Sequence, residues 1–212
     1  MNKYTIKTII SGFTLLALTA SINIKADGNR YDLERRYHSE ISAAKAYILT
    51  TYNQGNVGQS GFTNAVLIDV RTVEEYGAGH PDKSLNIPFP HIHSRPNREG
   101  YVGQNPEQFV SDVIAAFPDR STPILTLCRT GYRSVLAANL LADAGYTNVR
   151  NIWQGFVGNH KVDTAGITLD VNNDGTINDS DRDGWLNYQE LPYSTKLSPR
   201  LIYAPYEYLY YE

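Results

Sequence analysis

The chain has 212 residues, 42% hydrophobic and 19% charged, enough for one ordinary core and too few for two large domains. A formal net charge of -3 excludes an electrostatic case for nucleic acid or for an anionic membrane surface.

Residues 1–26 read as a secretory signal peptide. Lys3 and Lys7 form a positive start, residues 8–20 carry no charge, and Ala26 before Asp27, or alternatively Ala20, offers a small-residue cleavage position. Nothing later approaches ~18 consecutive apolar residues, so the expectation is a periplasmic or secreted protein without a membrane span after signal removal. Residues 32–51 predict a helix with Ser39 as N-cap and Ile41, Ala44 and Ile48 on one face. A polar loop over 53–61 leads to the apolar run 65–70, which suits a strand buried on both sides of a parallel sheet.

A short helix over 72–76 carries Glu74 and Glu75 in its first turn, where the helix dipole favours acids. A strand over 84–88 and a polar loop over 90–105 follow. Within that loop His91 and His93 share a side, yet two histidines without a third ligand make a poor metal site. Residues 106–117 fit a helix opened by Pro106, with Phe109, Val113 and Ala116 at helical spacing. Residues 123–127 form a second buried-type strand, 134–144 a helix capped by Gly145, and 148–153 a third strand. This alternation predicts an α/β fold, a central parallel sheet flanked by helices on both faces.

The chemistry concentrates at Cys128, the single cysteine. No internal disulfide can form, and an unpaired thiol in an oxidising compartment is retained only if buried or chemically used. Cys128-Arg129-Thr130-Gly131-Tyr132-Arg133-Ser134 lies between a strand and a helix. A cysteine there faces successive backbone N–H groups and the positive end of the helix, and Arg129 and Arg133 add charge favouring a thiolate. Gly131 lets the backbone curl so that its amides point inward.

These residues resemble rhodanese-like domains. Asp69-Val70-Arg71, Glu74-Glu75-Tyr76, Gly79-His80 and Asn86-Ile87-Pro88 are similar to the family's first signature, and the segment from Cys128 to Ser134 to its active-site loop. The likeness continues through Asn151 to Phe156 and resumes at Gly184 to Pro192, similar to a closing helix. The family's usual Gly-Gly pair is Gln154-Gly155 here.

The resemblance implies a domain over 30–194 that moves sulfane sulfur from a donor such as thiosulfate to a thiophilic acceptor or thiol protein through a Cys128 persulfide. It implies that the amides of Arg129, Thr130, Gly131, Tyr132 and Arg133, with Ser134, hold the persulfide. Arg133 would anchor the loop or an anionic substrate, and Asp69 and Arg71 would brace the loop. No cofactor is needed for this chemistry. The alternatives are a persulfide or redox carrier with little turnover, and a cysteine-dependent phosphatase or arsenate reductase. The six residues from Cys128 to Arg133 disfavour the last, whose loops are one residue longer.

Residues 159–183 form an acidic insertion. Asp170, Asn172, Asp174, Gly175, Thr176 and Asp181 reproduce a calcium-loop spacing, with oxygen ligands at positions 1, 3, 5, 7 and 12 and glycine at 6. A structural Ca²⁺ held by Asp170, Asn172, Asp174, Thr176 and Asp181, with Asp183 as an extra ligand, is preferred over an overlapping second frame (Asp179, Asp181, Asp183, Gly184, Trp185, Glu190) and over a solvated Asx-rich turn. The tyrosine-rich tail, 195–212, is expected to dock on its own domain.

Overall fold

In a computed structural model, described over residues 29–52, 64–94 and 102–211, the apolar runs become the strands of one parallel sheet. Its members are β1 (Ser39–Ile41), β2 (Val66–Asp69), β4 (Ser84–Asn86), β7 (Ile124–Leu127) and β8 (Val149–Ile152), in the order β1-β8-β7-β2-β4. Helices α1 (Ala43–Tyr52), α2 (Val73–Ala78), α3 (Pro106–Ala116) and α4 (Tyr132–Asp143) complete the α/β fold expected from the sequence. The signal stretch 1–26 and the polar loop 53–61 lie outside the described residues.

Strand side chains alternate between two buried layers. Ile68, Ile124 and Val149 pack with Phe109 and Val113 of α3 and with Val135, Ala138 and Leu141 of α4. Leu67, Leu125, Leu127 and Ile152 pack on the other face with Ala43, Ala46 and Leu49 of α1, and with Phe156 and Trp185. Both faces of the sheet are therefore covered, which is why its inner strands β2 and β7 are apolar runs rather than alternating ones.

The helix expected over 32–51 is corrected. Residues Ser39–Ile41 form an edge strand parallel to β8, with Ile41 opposite Ile152. The helix begins at Ala43, and Ile48, expected on the inner face, is 54% exposed. An edge strand is decided by a partner far along the chain, and local periodicity cannot register that partner.

Helix α4 starts at Tyr132 rather than residue 134, so Gly131, in the left-handed region with φ 92°, is its N-cap. Residues 185–189 form successive turns where the resemblance implies a closing helix, and 190–192 continue without regular structure. They are held by Trp185 N–H to the Gly155 carbonyl at 3.0 Å and Leu186 N–H to the Phe156 carbonyl at 2.8 Å. Here two glycines cross: a Cβ on Gly158 would sit 2.1 Å from the Gly184 nitrogen.

Three short pairings lie outside the main sheet. β3 (His80–Pro81) pairs antiparallel with β9 (Tyr193–Ser194), and β5 (His91–His93) with β6 (Val102–Gly103). His93 Nδ1 lies 2.9 Å from Glu74 Oε1, within hydrogen-bond distance.

The tail docks on its own domain. Ile202 bridges Asn86 at the β4 edge, and Tyr206 and Leu209 join the layer containing Phe89, Phe109 and Val113. The Tyr206 hydroxyl donates to Asp112 Oδ2 at 2.5 Å, and the Tyr210 hydroxyl donates to Asn86 Oδ1.

Candidate active site at Cys128

Cys128 follows β7, the central strand, at the carboxyl end of the sheet, where α/β folds place their ligand sites. The chain turns within three residues and enters α4. Cys128 itself is fully buried. Its Sγ receives the Gly131 backbone N–H at 3.1 Å and the Ser134 hydroxyl at 3.3 Å. Both donors favour negative charge on sulfur, because a hydrogen bond to an anion is stronger than one to a neutral acceptor. The loop's outward carbonyls are tied down from behind. The Cys128 oxygen accepts from Phe156 N–H at 2.8 Å, and the Arg129 oxygen from Val157 and Gly158 at 2.9 and 3.0 Å.

Two glycines make this possible. A Cβ on Gly131 would lie 2.2 Å from the Trp153 carbonyl oxygen, and one on Gly155 2.6 Å from the Arg129 oxygen. Gln154, standing where the family has a first glycine, is accommodated because its side chain turns away and accepts the Ala43 N–H at 2.7 Å.

Arg133 and Arg71 are each engaged with a carboxylate. Arg133, expected to anchor the loop or meet an anionic substrate, makes a bidentate pair with Glu75, at 2.7 and 2.8 Å. Only 1% of Arg133 is exposed. Glu75 also closes the capping box of α2, accepting the Thr72 N–H at 3.1 Å. Burial works against the Glu75 charge, but hydrogen bonding and attraction from Arg133, with help from Arg71 and the Thr72 N–H, hold its carboxyl below its ordinary value.

Asp69 and Arg71 form a buried pair with Nη2 to Oδ2 at 2.6 Å. The Arg71 guanidinium also donates to the Gly79 carbonyl at 2.7 Å and lies 4.0 Å over the Phe156 ring. Since Phe156 N–H holds the Cys128 carbonyl, the pair supports the loop through one intermediate residue. Asn86 fixes the same segment, donating to the Asp69 and Arg71 carbonyls at 2.7 and 3.0 Å. Arg129 and Tyr132 are half-buried on the loop, and Thr130 is buried.

The sequence reading did not connect Arg30, Asp183 or Phe156 with the cysteine loop, since all three stand far from Cys128 in the chain. The Arg133–Glu75 pair was half legible, because Thr72 followed by Glu75 has the spacing of a capping box.

Residues 170–181 fold as a tight polar loop whose oxygens mostly serve its own backbone. Asp181, fully buried, accepts N–H groups from Val171 at 2.7 Å, Asn178 at 2.8 Å and Asn172 at 3.3 Å. Those N–H bonds, chiefly the one from Asn178, hold its carboxyl below the ordinary aspartate value. Asp170 accepts from Gly175 and Asp174, and Asp174 from Thr176. Among the described residues no group of three or more His, Cys, Asp or Glu side chains converges as metal ligands. Asn172 and Thr176 would have to supply oxygens beside Asp170 and Asp174 for calcium to bind, with Asp181 already engaged as a backbone cap.

Comparison with known proteins locates this arrangement in a family. A family model described as the rhodanese-like domain matches residues 51–161. An uncharacterized protein of Rickettsia prowazekii (strain Madrid E) is 36% identical over 124 residues, which are 57% of this chain and 85% of its own. Thiosulfate sulfurtransferase 16, chloroplastic, of Arabidopsis thaliana is 34% identical over 90 residues, 42% of this chain and 68% of that protein. A crystal structure of an M. tuberculosis protein aligns with a TM-score of 0.49 at 23% identity, covering 76% of this chain and 99% of that one.

Proposed function

Starting from the fact that the chain belongs to the rhodanese-like domain family, we propose that it is a sulfurtransferase that carries sulfur as a persulfide on Cys128. The observation that carries this reading is the sulfur itself. It stands at the end of the central strand with one backbone amide and one hydroxyl already donating to it.

With thiosulfate as donor, the Cys128 thiolate attacks the outer sulfur, the donor's S–S bond breaks, and sulfite leaves with the bonding pair. The terminal persulfide sulfur then carries the negative charge, and loop donors that favour the thiolate serve this anion as well. A thiophilic acceptor attacks that outer sulfur and takes it, returning the Cys128 thiolate. Arg133 and the Asp69–Arg71 pair act as positioning groups, because their guanidiniums are committed to carboxylates.

The six-residue span from Cys128 to Arg133 supports sulfur rather than a tetrahedral phosphate or arsenate as the transferred group. Export by residues 1–26, placing the protein in the periplasm or outside the cell, belongs to the same proposal. So does a structural Ca²⁺ in the loop 170–181.

The deciding experiment is an intact mass of the purified protein before and after thiosulfate. A gain of one sulfur atom, removed again by cyanide or a thiol, supports the reading. An unchanged mass together with rapid hydrolysis of aryl phosphates overturns it. A stable added sulfur with negligible turnover turns the assignment to the carrier alternative.

A further inference from the structure

Behind the cysteine loop, on the side away from the sulfur, Arg30 is enclosed almost completely, with 4% of its surface exposed. Its Nη1 donates to the Trp153 carbonyl at 2.9 Å and to the Thr130 and Gln154 carbonyls at 3.3 Å each. Its Nη2 donates to Asp183 Oδ2 at 2.6 Å, and the guanidinium lies 4.8 Å over the Trp153 ring. Asp183, 2% exposed, closes the acidic insertion: its Oδ1 accepts the Asn159 N–H at 2.9 Å, and its own N–H donates to the Asn159 carbonyl at 3.0 Å.

The Thr130 carbonyl and the Gly131 N–H belong to one peptide bond. A trans peptide is planar, so its carbonyl and its N–H point in opposite directions, and fixing one end aims the other. The far end of this peptide is the N–H that donates to Cys128 Sγ at 3.1 Å. A cation on the carbonyl oxygen also polarises the amide and strengthens its N–H as a donor. The conformation needs Gly131, whose φ of 92° a side chain rarely adopts and whose Cβ position is filled by the Trp153 oxygen.

From this geometry we infer that Arg30 is a positioning residue for the sulfur anion, and that the acidic insertion supplies, through Asp183, the counter-charge that holds it in place. The inference deepens the sulfurtransferase reading and, for its catalytic consequence, rests on it. It gives the insertion a role in the site that needs no metal. Arginine is required because a single fork spans the Thr130 and Trp153 carbonyls and the Asp183 carboxylate at once; a lysine keeps the charge but not the span.

The test compares wild type with Arg30→Lys and Asp183→Asn. Two readouts are used: the rate of Cys128 alkylation by iodoacetamide across pH, which needs no sulfur donor, and thiosulfate turnover resolved into kcat and KM. In both variants the alkylation profile should move to higher pH and the rate near neutrality fall several-fold. The kcat should fall by a similar factor with KM changed less, because Arg30 and Asp183 are buried behind the loop and act on the sulfur only through the Gly131 amide. If the variants melt lower but keep the wild-type alkylation profile and kcat, Arg30 is a structural tie alone and the inference is overturned. If wild type takes up no sulfur while the alkylation profile still shifts in the variants, the sulfurtransferase reading fails and the positioning role stands. Should Arg30→Lys not fold, Asp183→Asn alone gives the same two readouts.

Discussion

The guanidinium of Arg133 lies against the carboxylate of Glu75 at 2.7 and 2.8 Å, so the second arginine of the cysteine loop is joined to α2 instead of opening toward a substrate. The first turn of α4 and the first turn of α2 are thereby locked together. Glu75 is doubly used, once by Arg133 and once as the reciprocal cap on Thr72.

Glu75→Gln should therefore destabilise the protein at neutral pH by up to about 3 kcal/mol, since it removes the carboxylate charge that faces the buried Arg133 guanidinium. Folding lowers the Glu75 pKa, so its stabilising contribution is complete above the ordinary value of 4.5 and disappears as pH falls through the folded value. Melting curves of wild type and variant should be well separated at pH 7 and converge in acid. A separation that is independent of pH would exclude the ion pair as its source.

Gly131 and Gly145 both adopt positive φ, 92–93°, yet only Gly131 has no room for a Cβ. Alanine at either position carries a backbone cost of about 1 kcal/mol. At Gly131 the clash with the Trp153 carbonyl should add about 1–3 kcal/mol, because the atom in the way is backbone. Chemical denaturation of the two variants checks the difference; equal losses would mean that the loop relaxes freely.

Cys128→Ser should keep the fold at a cost below about 2 kcal/mol, because the Gly131 and Ser134 donors find an oxygen where the sulfur was. It should lose all uptake of sulfur from thiosulfate, read by intact mass. Sulfur transfer surviving in this variant cannot be reconciled with a persulfide mechanism, since the chain has one cysteine.

For the loop 170–181, calcium should raise the melting temperature of the wild type, because a ligand that binds only the folded state stabilises it. Asp174→Ala should remove that rise. Asp181→Asn should lower the melting temperature with or without calcium, since Asp181 serves three backbone N–H groups. Identical curves in calcium and in EDTA would leave the segment as a self-capped turn.

The sequence by itself determined the α/β class, the strands around 66–69 and 124–127, and the cysteine loop with its glycine. These are written in local order: short apolar runs, a cap residue, a glycine at a forced turn. It did not determine where the charges go. Arg133 reads from sequence as an anchor for either the loop or an anionic substrate, and a guanidinium reaches far enough that packing chooses its partner, here Glu75. Ser39–Ile41 looked helical because a strand at a sheet edge is made by its neighbour, here β8. Arg30 carried no sequence signal at all, since its partners Thr130, Trp153 and Asp183 come together only after the chain has folded. Only tertiary structure decided these contacts, because burying a charge requires its partners to converge from several segments at once, and that convergence has no local pattern.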